Sequence, residues 1–395
     1  MELPCDTDSE RIARMSQERI GTFDLSQSTA IGSEFAIFLY RDDGTRLAQL
    51  VDVERFEYTK VVNGLGHFEI VLPHTFDPAL IARHRRVNIW RKPASGYMAI
   101  DFAGLIKRIH RQDVNGVIVR SIGGSSLNGL LNQRIVAYPA GQSQSEKTDQ
   151  VDDMMKAIVR ENLGSLATDG LRQLSSTFFT VSGDGGLGPT VTKGFSNKNM
   201  LAVLLDLSNV ARQKGTEIYF DIAPVTETQM EFRTYLNQPG RDRTSTGASP
   251  LEFSVERGNL LAPEYDEDFS EESNSIYAGG QGEGERRVLL SESSSEALLD
   301  AFARSEAFHD GRNEPDPVAL RDAAKAELIE RRPIRRFVSQ IQQNIGTLYG
   351  LDWQLGDRVT ATFDGLQFES LIRSVTVRVD GNGAESVNSF LEAFV

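Results

Sequence analysis

The sequence predicts a β-rich α+β protein with two antiparallel β-barrel or meander domains and accessory α+β domains. Three observations carry that expectation. Dipeptides that tolerate the positive φ of two-residue hairpin turns, among them Asp43-Gly44, Asn63-Gly64, Asn115-Gly116 and Asp364-Gly365, punctuate strand-like segments at both ends of the chain. Helical periodicity appears only between those ends. One strand motif occurs twice, once in each β-rich end. At 395 residues the chain exceeds what one core organises, so two to four domains of roughly 100 to 150 residues are expected.

Residues 1–33 are polar with scattered apolar positions and are expected to form an extended arm held by a neighbouring subunit. Residues 34–140 form the first β domain, where Phe35-Ala-Ile-Phe-Leu-Tyr40 and the run through Leu50 and Val53 to Tyr58 alternate with turns. Residues 141–250 form an accessory helix and hairpin region. Thr148 is the expected cap of a helix carrying Val151, Met154, Met155, Ile158 and Val159 and stopped by Gly164. Ser196 opens a second helical segment through Met200, Leu204, Leu207 and Ala211 to Gly215. Ile218, Phe220 and Ile222 alternate, as do Met230, Phe232 and Thr234, which predicts one hairpin.

Gly240 to Ser249 is polar and predicts a linker into residues 251–395, a second β domain with inserted helices. One inserted helix is expected near Glu296 to Phe308, capped by Ser293. The other opens at Asp316-Pro317, carries Leu320, Ala324 and Leu328 on one face and ends before Pro333. The repeated motif links the two ends. Phe102-Ala-Gly-Leu-Ile-Lys-Arg-Ile109 is answered at constant offset by Phe368-Glu-Ser-Leu-Ile-Arg-Ser-Val375. Each copy follows a short strand, Val87-Asn-Ile-Trp90 or Val359-Thr-Ala-Thr-Phe363, and precedes a Gly/Asn turn. Two copies of one β domain per chain would let three subunits present six similar modules to a sixfold partner.

Composition narrows the function classes. Hydrophobic residues make up 39% and charged residues 25%, the balance of a globular protein. No apolar run approaches the roughly 20 residues that span a bilayer, and Met1-Glu2-Leu3-Pro4-Cys5-Asp6 lacks a basic segment followed by an apolar one, so neither insertion nor signal-directed export is expected. The single cysteine, Cys5, excludes an intrachain disulfide and a cysteine-based zinc site. The net charge of -14 argues against a protein that grips DNA.

Catalytic patterns are weak throughout. The loops Gly183 to Gly188 and Gly279 to Gly284 lack the Lys and Ser/Thr of a phosphate loop, and Gly123-Gly124-Ser125-Ser126 does not fit a nucleophile elbow. His67 with His74, and His309-Asp310 with Glu306, lack metal-ligand spacing, so His309 and Asp310 are expected as surface turn residues. Glu264 to Glu272 lacks the ligand alternation of a calcium loop. No enzyme activity and no cofactor are expected.

Four segments of the last third are Glu256-Arg-Gly-Asn259, Gly279-Gly-Gln-Gly-Glu-Gly-Glu-Arg286, Arg304-Ser-Glu-Ala-Phe-His-Asp-Gly-Arg312 and Tyr349-Gly-Leu-Asp-Trp-Gln-Leu-Gly-Asp-Arg-Val359. Together with Tyr58-Thr-Lys-Val-Val-Asn-Gly-Leu-Gly-His-Phe-Glu-Ile-Val-Leu-Pro73, they resemble the tail-tip baseplate hub, or tail-associated minor tail protein, family of long-tailed bacteriophages. Residues 165–200 match nothing in that family.

The resemblance implies two tail-tube-like β domains and a homo-trimeric ring below the tail tube. Its implied partners are the distal tail or tail tube protein, the tape measure protein, and tail fibre or receptor-binding proteins. DNA would pass through the channel without specific binding, and the place would be the virion tail tip, assembled in the host cytoplasm. The competing readings are a carbohydrate-binding adhesion module, which exposed tryptophan clusters would support, and a cell-wall hydrolase, which paired carboxylates in a cleft would support. For the subunit interface, the basic cluster containing Arg335 and Arg336 is expected to face acidic residues such as Glu264 and Asp266 across a subunit boundary.

Overall fold

The computed structural model describes residues 33–393 apart from 42, 94–95, 139–143, 168, 313 and 315. The expected arm over residues 1–33 therefore lies, except for Ser33, outside the described residues. The described chain forms two compact units. Tyr265–Arg336 is the smaller, and the larger runs up to Glu264 and resumes at Phe337.

The larger unit begins with the predicted meander: β1 (Glu34–Tyr40), β2 (Arg46–Leu50), β3 (Arg55–Val61), β4 (His67–Leu72), β5 (Arg86–Lys92), β6 (Ala99–Val114) and β7 (Val117–Ser126), followed by the short helix α1 (Gly129–Asn132). Asn115 and Gly116 both adopt positive φ, 54° and 83°, between the paired Val114 and Val117. That is the two-residue turn whose twist matches the strands it joins.

The accessory region adds β8 (Ser145–Gln150), α2 (Val151–Asn162), β9 (Phe179–Val181), β10 (Thr190–Phe195), α3 (Met200–Gln213), β11 (Ile218–Pro224) and β12 (Met230–Leu236). Met154, Met155 and Ile158 of α2 meet Met200, Leu204, Leu207 and Ala211 of α3 and Phe220 and Phe232 of the predicted hairpin in one buried core. The helix starts differ from expectation. Thr148 lies in β8, where its hydroxyl bonds Thr192 Oγ1 of β10 at 2.8 Å. Asn199, not Ser196, caps α3, accepting from the Ala202 N–H. The region meets the meander through two buried asparagines: Asn63 Oδ1 accepts from Phe220 N at 2.7 Å and Asn128 Oδ1 from Ile222 N at 2.8 Å, which satisfies alternate donors of β11.

Gly240 to Ser249 is not a free linker. It contributes β13 (Asp242–Arg243), and Thr244 is buried. The chain continues through β14 (Glu252–Ser254) and enters the smaller unit along β15 (Leu260–Asp268). There β16 (Ser275–Gly279), β17 (Leu289–Ser293) and β18 (Glu306–Asp310) form a three-stranded sheet, against which α4 (Pro317–Glu330) packs Leu320 and Ala324 on Ile276 and Ala278. Asp316 caps α4 as predicted, accepting from Val318 and Ala319 N–H groups. The helix expected near Glu296 to Phe308 is replaced by a single turn at Glu296–Leu298 and by β18. Its apolar residues Leu298, Leu299 and Phe302 stay exposed, so no core face was there to hold a helix.

Strand β19 (Ile334–Ile341) leads back, and β20 (Arg358–Phe363), β21 (Leu366–Val379) and β22 (Glu385–Ala393) complete the larger unit. Its main sheet has 12 strands, ordered β13-β20-β21-β3-β4-β7-β6-β5-β1-β2, with β14 on β20 and β22 on β21. Among the described residues neither meander closes into a barrel. The edge of β3 that closure would require is taken by β21 of the other β-rich end.

Candidate assembly interface

The two β-rich ends share strand register over the repeated motif. Arg86, Val87, Asn88 and Ile89 of β5 face Leu105, Gly104, Ala103 and Phe102 of β6. Arg358, Val359, Thr360 and Ala361 of β20 face Leu371, Ser370, Glu369 and Phe368 of β21, the same positions of the repeated motif. Both long strands carry a bulge at the matching place, Lys107 opposite β7 and Arg373 opposite β22. Such bulges re-aim a strand and are specific features of a fold. The ring of Phe68 on β4 lies 5.8 Å from Phe102, and Phe337 on β19 lies 5.2 Å from Phe368. Gln340 of β19 also donates to Asn388 of β22 at 2.5 Å. Strand β19 thus meets β21 and β22 through side chains, while β15 and β19 form a separate two-stranded sheet.

The modules join through β21 and β3, paired from Ser374 opposite Val61 to Val379 opposite Phe56. Arg378 Nε meets Glu57 Oε2 at 2.8 Å, and Thr59 and Thr376 hydroxyls bond at 2.8 Å. Beneath the seam lies a polar network that no local pattern announces. Asp101 accepts from Lys60 Nζ at 2.8 Å, Tyr349 hydroxyl at 2.7 Å and Tyr58 hydroxyl at 2.5 Å. Arg91 Nε bonds Glu385 Oε1 at 2.7 Å, Arg91 Nη1 donates to Tyr349 O, and both charged side chains are almost fully buried.

These contacts set the protonation states. Burial works to raise the Asp101 carboxyl, but Lys60 and the three hydrogen bonds hold it below its ordinary value. Burial works to lower Lys60, but Asp101 holds it above the ordinary lysine value. Burial and the Asp101 charge push the Tyr58 hydroxyl well up. The group is a fixed ionic clamp, not a proton-transfer centre, because none of these shifts brings a group toward neutral pH. Its residues lie far apart in sequence. The available sign was Asp101, the one charged residue of the apolar stretch Ala99 to Ile106.

The four predicted interface residues are not gathered into one cluster within the chain. Arg335 Nε bonds Glu267 Oε1 of its own chain at 2.8 Å, and Arg336 is half-buried. Glu264 and Asp266 stand at alternate exposed positions of β15.

The patterns weighed for chemistry find structural partners. In the Gly183 to Gly188 loop, Gly185 N and Leu187 N donate to the α2 carboxylates Asp153 and Asp152 at 2.8 and 2.6 Å, so the loop cradles the chain's own anions. Beside Gly279 to Gly284, Arg287 donates to Gly279 O and Gly280 O and pairs with Asp310. His309 lies in β18 rather than in a turn and bonds Glu327 of α4. Among the described residues no group of three or more His, Cys, Asp or Glu side chains is placed to hold a metal. Trp353 is fully buried with its Nε1 donating to Thr347 O, and Trp90 is half-buried.

Comparison with known proteins agrees with this architecture. No curated protein matches the sequence. The chain is similar in fold to a 43 kDa tail protein of prophage MuSo2 from Shewanella oneidensis, at 13% identity and TM-score 0.57 over 90% of this chain and 98% of that one. It is similar as well to a tail protein from Neisseria meningitidis MC58, at 13% identity and TM-score 0.54 over 91% of this chain and 96% of that one. Prophage tail protein gp18 from Listeria monocytogenes EGD-e gives 11% identity and TM-score 0.51, covering 91% and 94%. The model of the Siphovirus ReqiPepy6 Gp37-like proteins matches residues 36–389, nearly the whole described chain, so this protein belongs to the Siphovirus ReqiPepy6 Gp37-like family.

Proposed function

We propose that the protein is a structural hub at the tip of a long bacteriophage tail, three copies forming a ring below the tail tube. The observation that carries this is the duplicated module, with the same register and the same bulge in both copies and one pair of strands joining them. A junction between like modules inside one chain, repeated between chains, closes three chains into a ring of six modules. Such a ring connects the tail tube or distal tail protein and the tape measure protein on one side with fibre or receptor-binding proteins on the other. The chain acts without catalysis and without a cofactor, in the tail tip of a virion whose tail assembles in the host cytoplasm. Its acidic balance, -14 overall, fits a channel that DNA crosses without being held.

Light scattering of the purified chain, alone and mixed with its tail tube protein, tests this. A threefold multiple of the chain mass in either sample is expected. A monomer in both samples would overturn the hub reading. DNA retention at low salt that fades with added salt would instead assign a cationic channel.

A further inference from the structure

Three cations of the larger unit lie together with no anion bonded to any of them among the described residues. Lys107 is the bulged residue of β6, Arg134 follows α1, and Arg172 ends the turn Gly170–Arg172. Arg172 is held in place, its Nη2 donating to Ile135 O at 2.6 Å and to Asn162 Oδ1 at 3.0 Å. The Nε atoms of Arg134 and Arg172 are buried without a hydrogen-bond partner among the described residues. Lys107 Nζ meets an imidazole, His84 Nδ1 at 3.1 Å, and no carboxylate.

The like charges act on one another. Burial, and then the charge of Arg134, lower the Lys107 pKa, and the same two causes in the same order lower Arg172. Exposed Asp169 opposes the effect at Arg172 but is the lesser influence, and its Oδ1 is engaged by Leu171 N. Burial, and then Lys107, lower His84, which leaves that imidazole uncharged at neutral pH. In a chain of net charge -14 such a cluster costs stability until an anion fills it, because the cations repel and N–H groups stay unpaired.

The surroundings select the kind of anion. Ile135 and Leu171, each next in sequence to one of the arginines, are 45% and 93% exposed. Apolar side chains beside arginine are the make-up of a protein contact. A phosphate backbone takes its affinity from cations alone, and the acidic remainder of the chain repels it at longer range. We propose that Lys107, Arg134 and Arg172 form a carboxylate-binding site that receives an acidic, partly apolar segment of another protein. The site goes beyond the hub reading and stands whether or not three chains close into a ring.

Binding is measured by fluorescence anisotropy at low salt for the full chain and for Lys107→Gln/Arg134→Gln. The labelled probes are a short peptide of Glu, Leu and Ala, the same peptide with Gln for Glu, and a short DNA duplex. The acidic peptide is expected to bind the full chain, and to bind the double variant at least about tenfold more weakly, since both lost charges face it. The Gln peptide is expected to bind neither. Followed by circular dichroism, the double variant is expected to melt above the full chain at low salt, with the gap closing as salt screens the repulsion. A variant that melts lower makes the cluster a structural element and overturns the site. So does acidic peptide that binds both chains equally or binds neither. DNA that binds more tightly than the peptide, and is lost in the variant, makes phosphate the ligand and overturns the carboxylate assignment.

Discussion

Three donors converge on Asp101, two of them tyrosine hydroxyls and the third the Lys60 ammonium, which keeps 26% of its side chain exposed. Replacing Asp101 with Ala strands that ammonium in a low-dielectric seam. The loss expected in urea unfolding is about 3 kcal/mol, the low end for breaking a buried pair because Lys60 retains some water. Glu385→Gln should cost as much or more, since Arg91 and its partner keep only 4% and 3% exposure. The pH dependence follows from the depressed Asp101 pKa. An acid whose folded pKa lies below its unfolded one gives its full stabilisation above the unfolded value and loses it as pH falls through the folded value. The stability gap between wild type and Asp101→Asn should therefore be constant above about pH 4 and shrink below it. A gap that widens on acidification would contradict the assignment.

Turn chemistry was legible at the scale of elements, and caps were legible where nothing competed for them. Asn115-Gly116 and Asp364-Gly365 turn as their residue types require, both pairs at positive φ. Asp316 caps α4 as its place before Pro317 implied. Thr148 had the same chemistry but was claimed by β10 through strand pairing, which no local pattern records. Asn199→Ala removes the cap of α3 and should cost about 1 kcal/mol by thermal or urea unfolding. Gly124→Ala should cost more than that cap. A Cβ at Gly124 would lie 1.9 Å from Leu105 O, so β6 and β7 would have to part next to the bulge at Lys107.

The smaller unit has a core of its own, made by Ile276, Ala278, Leu320 and Ala324. Replacing residues 265–336 with a short flexible linker should leave the larger unit folded with a cooperative melt, as judged by circular dichroism. Loss of the β-sheet signal would show that the larger unit cannot stand alone. Dialysis against a chelator should leave the melting temperature of the full chain unchanged. A large drop would reveal a structural metal.

Sequence by itself determined the β-rich α+β class, the hairpins, the α2 and α3 core faces and the existence of a repeat, because alternation, turn residues and helical spacing act over a few neighbours. Phe102-Ala-Gly-Leu-Ile and Phe368-Glu-Ser-Leu-Ile announced two hairpins of matching register. Only the tertiary structure decided that β21 pairs with β3, so that the meanders open into one sheet and do not close as barrels. It alone brought Lys60, Asp101 and Tyr349 together and engaged Arg335 with Glu267. Those outcomes depend on contacts between residues far apart along the chain, where burial and unsatisfied backbone groups select the partner and local pattern carries no information about it.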